Sequence, residues 1–574
     1  MKKYFANKSF LAGFSLICFF ALLILAGFFY LPYDPDFPNT AEKFAPFSAR
    51  HLLGTDHLGR DVFSRILVGA RISFEIGFVV MLAGFFSGLL LGSVSGYFGG
   101  ILDLLIQKMI SVLMSFPGIL LALMLIAVFG TDERITVLAL CLMSVPRFTR
   151  ITRVSFLKYK TSLFVKSARS RGAGHLRIMI YHILPNILPE LLVTCSLSFA
   201  LAILGESGLS YLGIGIQPPT PSFGRMLNDA QRFIFRNPAG VLVPAFFLTL
   251  LVLGFNLLGD GISETAGGEP KEEKDFHPDF SEKTEMKCDS ASSAKKALFQ
   301  IKNLSVGFSQ NGNQTQILDD VSLSVDEGEF VALVGESGSG KTMTSLAAMH
   351  LLPENIQISG GEVILGDKNL SSMSESEFRA ISGKEISMIF QEPMTSLNPL
   401  IKVGKQIEEA ALVHGFSKKE AKKRSFELSR LTGLSDTERV LSSFPHELSG
   451  GMKQRIMITS ALVNHPKLLI ADEPTTALDV STQEEIIHIL QNLRQTKNIA
   501  MLLITHDFSV VRKLCSRVYI MYKGKIVEQN TVEEIFKNPQ HDYTKALIDS
   551  IPNLDKKGEK LPVYDAFFTY AKDS

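Results

Sequence analysis

Long uncharged apolar runs dominate the first 260 positions of this 574-residue chain. From Ser9 to Tyr30 no residue is charged, matching the roughly 20 apolar residues a membrane-spanning helix needs. Further runs predict helices at about Ile72–Tyr97, Met109–Phe129, Ile135–Val145, Ile187–Leu204 and Val241–Gly259. Pro146 is expected to bound the fourth, because proline lacks a helix donor. Lys2 and Lys3 suggest a cleaved leader as an alternative, but the apolar run is too long and no small-x-small site precedes Pro32, so the first helix is expected to remain. Six spans would return the chain to its starting side. Beyond residue 298 the pattern changes to short strand-like runs, notably Glu329–Val334 and Leu468–Ala471, between amphipathic stretches.

Charge divides the chain at the same place. Residues 1–260 carry +9 and the remaining 314 carry −8, combining to the net +1. One homogeneous fold, a disordered chain and a basic nucleic-acid binder are all excluded. Nine Lys or Arg and no acid lie between Arg147 and Pro185. Each would cost about 2.5–3.5 kcal/mol at the bilayer centre, so this segment is expected outside the lipid on the cytoplasmic side, with the N-terminus and residue 260. Between Glu264 and Lys296 the chain is charged and nearly free of aliphatic residues, which predicts a flexible linker with a span of roughly 30 Å. The expected division is therefore a membrane domain at 1–262, a linker at 263–297, a soluble α/β domain at 298–550 and a tail at 551–574.

Three features of the membrane half have competing readings. Gly84, Gly88, Gly92 and Gly96 put small residues on one helix face, expected to pack against a helix of the same chain rather than another subunit. His51 and His57 flank Gly54, Thr55 and Asp56, where turn and helix-start chemistry is favoured over a metal pair. Glu206 is a functional candidate as an intramembrane acid, balanced by the reading of a satisfied carboxylate near a span end. Five scattered cysteines with no close pair exclude a disulfide scaffold and a clustered cysteine metal site.

The second half carries phosphate chemistry. Gly335, Glu336, Ser337, Gly338, Ser339, Gly340, Lys341 and Thr342 form a Walker A loop between a strand and a helical pattern. Its backbone N–H groups and helix N-terminus suit a phosphate, Lys341 the β/γ-phosphates of a nucleotide, and Thr342 a Mg²⁺ ion. A second strand ends in Asp472 and Glu473. Asp472 suits Mg²⁺ and Glu473 suits polarisation of an attacking water.

Leu448, Ser449, Gly450 and Gly451, continuing through Gln454 to Arg455, resemble the signature loop of ABC transporter ATPases. Other motifs of that family follow in order: Phe308 for adenine stacking, Gln391 of the Q-loop, Asp479 of the D-loop and His506 as the switch histidine. The resemblance spans about 298–550, with a helical subdomain at about 392–450. It implies head-to-tail pairing of two ATPase domains, so that Ser449 and Gly451 touch ATP held by a partner. Glu473 would activate water, Lys341 and His506 would hold the γ-phosphate, and Thr342, Gln391 and Asp472 would organise Mg²⁺. ATP and Mg²⁺ are the implied cofactors.

Residues 1–262 resemble the C-type permease of the dipeptide, oligopeptide and nickel importers. The resemblance rests on the segment from His51 to Asp61, on Leu209–Gly213 with Pro218–Pro221, and on a coupling loop at about 164–186 containing Ala168, Arg169, Gly172 and Ala173. Lys166 stands where that loop usually has glutamate. Pro539–Thr544 is similar to a motif of the same system's first ATPase. The implied fold is an α-helical type I importer permease of six transmembrane helices, fused to an α/β P-loop ABC ATPase. The implied role is uptake of di- or oligopeptides or nickel across a bacterial cytoplasmic membrane. A second permease, a second ATPase and a periplasmic or lipid-anchored binding protein would complete the assembly. The rival readings are a homodimeric half-transporter, possibly an exporter, a soluble motor ATPase and a catalytically dead regulator.

Overall fold

In a computed structural model the described residues are 5–266, 297–310, 313–353, 355–476, 480–497 and 499–549. The expected linker, apart from its flanks, and the tail at 551–574 fall outside them. The chain forms two units: Met1–Lys160 with Ile183–Glu273, and Thr161–His182 with Lys274–Ser574.

The first unit is helical. Its longer helices are α1 (Lys8–Phe29), α2 (Val62–Phe98), α3 (Gly100–Ser115), α4 (Gly118–Phe129), α5 (Glu133–Lys160), α7 (Leu184–Tyr211) and α8 (Ala239–Ala266). Among the described residues five segments are long and apolar enough to cross a membrane, or six if the bent pair α3–α4 counts as one span. Two boundaries differ from expectation. Met109–Phe129 is not one straight helix, since α3 and α4 meet at 85°. Phe116 is extended before Pro117, which disfavours the helical region for its predecessor. Pro146, by contrast, lies inside α5. Ser144 Oγ donates to Cys141 O at 2.7 Å and Thr149 Oγ1 to Val145 O at 2.8 Å in the turns around it.

The glycine stripe faces α5 of the same chain. A Cβ on Gly88 would lie 2.8 Å from Thr149 N, on Gly92 2.6 Å from Thr149 O, and on Gly96 2.6 Å from Arg153 O. Without side chains the two backbones approach closely, and dispersion contacts replace a hydrophobic driving force that lipid cannot supply. His51 Nδ1 sits 2.8 Å from Asp61 Oδ1, and the other Asp61 oxygen accepts the Ser64 N–H to cap α2. His57 stacks on Phe233. His51 therefore takes part in helix-start bonding and His57 in local packing. Glu206 is fully buried and accepts from Ser210 Oγ at 2.6 Å, with Ser207 and Ser73 hydroxyls at 3.3 and 3.4 Å. It is a satisfied carboxylate.

The second unit contains two sheets. β1 (Phe299–Gln310), β2 (Asn313–Val325), β4 (Gln357–Leu365) and β5 (Lys368–Asn369) form an antiparallel sheet of order β2-β1-β4-β5. β3 (Phe330–Val334), β6 (Ile386–Ile389), β7 (Leu468–Asp472), β8 (Ala500–Thr505), β9 (Arg517–Tyr522) and β10 (Lys525–Thr531) form the other, ordered β10-β9-β3-β8-β7-β6. Every residue of β3, β7 and β8 is buried, as strands covered on both faces require. The functional residues below lie on or near α6 (Leu163–Ser170), α9 (Lys341–Ala348), α10 (Val403–Val413), α11 (Gly450–Leu462) and α12 (Asp542–Asp549).

Gly88→Val is expected to destabilise the helical unit by about 1–3 kcal/mol or more through overpacking. Gly208→Ala is the control, because nothing lies within 4 Å of its added Cβ. Calorimetric melting in detergent should fall for the first variant and stay near wild type for the second.

Candidate nucleotide site and loop socket

Parallel pairing brings the strand ends together. Val334 lies opposite Thr505, Asp472 opposite Ile504, and Ile389 opposite Ala471. The phosphate loop, His506, the Asp472–Glu473 pair and Gln391 all emerge from this one edge, the carboxyl end at which open α/β sheets bind ligands.

Gly340 has φ +107°, and a Cβ there would meet Leu318 Cδ2 at 2.6 Å, so the turn into α9 requires glycine. Lys341 is buried and its Nζ donates to Gly335 O and Glu336 O, both at 2.7 Å. Burial lowers its pKa, against the opposing charges of Glu473, Asp472 and Glu336. Ser339 Oγ is buried without a hydrogen-bond partner among the described residues, and a Cβ at Gly338 would meet nothing within 4 Å. An unsatisfied donor beside open space at a helix N-terminus fits a phosphate group. Thr342 Oγ1 lies 3.4 Å from Asp472 Oδ1, and these hard oxygen donors fit Mg²⁺. Burial pushes the Asp472 pKa up to about 6; Glu473 adds to the rise, while Thr342 and Lys341 oppose it.

Glu473 has φ +45°, and its N–H donates to Ile504 O at 2.8 Å. Its Oε2 accepts from Gln391 Nε2 and Thr476 Oγ1, each at 2.9 Å, and its Oε1 lies 3.2 Å from His506 Nδ1. Gln391 therefore meets Glu473, whereas Thr342 meets Asp472. Ser449 Oγ accepts the Met452 N–H at the start of α11, Leu448 packs partly buried against the core, and Gly450 and Gly451 open the helix. Gln454 donates to Pro474 O at 2.5 Å, tying α11 to the carboxylate loop. No hydrogen bond joins 448–451 to 335–342 among the described residues. Phe308 is half-buried on β1. Asp479 lies outside the described residues.

Residues 161–182 belong to this unit; the resemblance implied a groove near the Q-loop to receive them, but not the residue that does so. Glu409 on α10 is buried. Its carboxylate lies 2.7 Å from Arg177 Nε, 3.0 Å from His182 Nε2 and 3.6 Å from Arg171 Nη2. Ser382 Oγ donates to Ser170 O at 2.8 Å, and Asn398 Nδ2 to His182 O at 3.2 Å. Ala168, at the C-terminal end of α6, is fully buried, Arg169 is half-buried, and Ala173 is buried in the turn. Gly172 has φ +87°, and a Cβ there would lie 3.0 Å from both His414 Nε2 and Ser382 O. Burial alone would raise the Glu409 pKa, but the hydrogen bond and charge of His182, with Arg171 and Arg177, hold it at about 2. The excess of loop cations could have signalled an acidic socket, but nothing in the sequence singled out Glu409 among many surface glutamates.

Two measurements follow from this geometry. The folded Asp472 pKa lies above its ordinary 3.8, so the folded state retains a proton that the unfolded state releases. This makes stability fall as pH rises from about 4 to about 6. In metal-free, nucleotide-free buffer, Asp472→Asn should melt higher than wild type at pH 8, by up to about 3 kcal/mol, with the gap closing towards pH 4. Glu409→Gln should leave the loop cations buried without their counter-charge, at a cost of about 3 kcal/mol or more. Limited trypsin digestion should then cut at Arg171 and Arg177 faster than in wild type.

Comparison with known proteins agrees with both halves. Residues 88–265 match the family described as the inner membrane component of binding-protein-dependent transport systems. Residues 318–476 match the ABC transporter family, and 527–565 match the oligopeptide/dipeptide transporter C-terminal region. An oligopeptide transport ATP-binding protein, OppD of Bacillus subtilis, is 48% identical over 265 residues, 46% of this chain and 74% of the relative. A dipeptide transport ATP-binding protein, DppD of Lactococcus lactis, is 45% identical over 270 residues, 47% of this chain and 77% of the relative. Among solved structures, the dimeric bacterial ABC transporter cassette MJ0796 is 29% identical, covers 41% of this chain and 98% of its own, and has a TM-score of 0.37. The motifs in strand-end register and these relatives place the chain in the ABC transporter family, as a multi-pass permease domain fused to an ATP-binding ATPase whose hydrolysis is coupled to transport.

Proposed function

We propose that this chain is the permease–ATPase subunit of a bacterial peptide importer, with its ATPase unit and N-terminus on the cytoplasmic side of the inner membrane. The relatives' descriptions name oligopeptide and dipeptide transport, so peptide is the cargo proposed and nickel is not carried forward. Having one ATPase and one permease domain, the chain works with a second of each, and a binding protein outside the membrane delivers the peptide. The observation that carries this reading is a complete hydrolytic set at the strand ends of a chain that also contains the permease module.

Glu473 acts as the base. Gln391, Thr476 and the backbone bond to Ile504 hold its carboxylate in one orientation, so it can take a proton from an attacking water without first rearranging. His506, against the same carboxylate, orients it and contacts the γ-phosphate. Lys341 turns from its loop carbonyls to the β/γ-phosphates, and the N–H groups entering α9 complete the cradle. Phe308 stacks on adenine. Thr342 and Asp472, with Gln391 at the edge, would hold Mg²⁺, which would supply charge neutralisation for the transferring phosphoryl group. Ser449 and Gly451, making no hydrogen bond to their own phosphate loop among the described residues, serve nucleotide held by the second ATPase. Glu409 anchors the loop 161–182, so that the loop follows movements of α10.

Glu473→Gln should lower ATP turnover by at least about 100-fold while ATP still binds. In vesicles containing the complete assembly it should abolish accumulation of labelled peptide. Wild-type turnover in this variant would refute the role of Glu473. ATP consumption by the wild type without uptake of any di- or oligopeptide would refute the cargo.

A further inference from the structure

The motif Pro539–Thr544 has no part in the hydrolytic set, yet it touches the phosphate loop. Tyr543, on α12, is fully buried, and its hydroxyl accepts the Glu336 N–H at 2.9 Å. The carbonyl of the same residue accepts Lys341 Nζ. The Glu336 residue, one position into the loop, is thus held at both its backbone polar atoms. Tyr543 is itself fixed: its ring lies 4.3 Å from that of Tyr522, at the end of β9, and its N–H donates to His541 Nδ1 at 3.1 Å. The two Glu528 oxygens, on β10, accept the N–H groups of Gln540 at 2.8 Å and His541 at 3.0 Å. A continuous set of bonds therefore runs from the sheet edge through this turn to the loop.

We propose that Tyr543 is a positioning residue for nucleotide, presetting the phosphate loop through the Glu336 N–H. Lys341 is shared between the loop carbonyls and phosphate, so its hold on Glu336 is conditional. The Tyr543 bond uses an N–H outside the Gly338–Thr342 cradle and does not compete with phosphate. Without it the loop would be ordered at the moment of binding, which weakens affinity rather than chemistry. Burial pushes the Tyr543 pKa up to about 12, so the hydroxyl stays neutral across the working pH range.

The inference rests on the phosphate loop being the ATP site. Tyr543→Phe in the full chain removes one oxygen and keeps the ring. Affinity for a fluorescent ATP analogue and for ADP should fall about 3- to 10-fold, the worth of one hydrogen bond, and the KM for ATP should rise equally. At saturating ATP, kcat should stay within about twofold. Glu528→Gln, which weakens the anchor of the turn, should shift affinity in the same direction by less, and it reads the claim if the first variant cannot be purified. Wild-type affinity and KM in Tyr543→Phe, a kcat loss without an affinity change, or a lowered melting temperature alone would overturn the proposal. Lys341→Ala is the separate control: unchanged nucleotide binding there would refute the ATP site itself.

Discussion

The hydrolytic centre depends on strands that end level with one another. Val334, Asp472 and Thr505 close three adjacent parallel strands, and Ile389 ends the fourth beside Ala471. Each contributes its chemistry just at or beyond the last paired residue, where backbone groups leave the ladder and side chains can converge. A slip of one residue in any strand would turn its terminal side chain to the opposite face. The fully buried cores of β3, β7 and β8 prevent that slip, because it would exchange packed apolar contacts for voids.

Burial then assigns the charged groups their tasks. The two neighbouring acids occupy different surroundings. Asp472 is almost wholly enclosed, with its pKa raised to about 6, which makes an incoming cation welcome. Glu473 is oriented by several donors and lies beside the exposed His506. Glu409 shows the opposite balance: His182, Arg171 and Arg177 around one buried carboxylate outweigh its desolvation. Such a cluster tolerates no missing member, which suits a joint that must hold a loop in one register.

Much was legible in the order of the residues. The apolar runs located the spans, since a bilayer demands length and lack of charge. The phosphate loop and the acid pair were recognisable because each follows a strand-like run, and Gln391 and His506 because their order and spacing resemble the ATPase family's motifs. The glycine repeat announced a close helix contact, and the structure supplies its partner, α5. Proline was the less dependable sign. Pro117 breaks a span, whereas Pro146 is absorbed in one, so a proline by itself does not say where a helix ends.

Sequence by itself determined the membrane-plus-ATPase organisation, because hydropathy and phosphate-binding loops are local properties. Only tertiary structure decided that Gln391 meets Glu473, that Glu409 receives Arg171, Arg177 and His182, and that Tyr543 grips Glu336 across 207 positions. Those contacts join distant segments through side-chain direction and depth, and neither property has a signature in the linear order of residues.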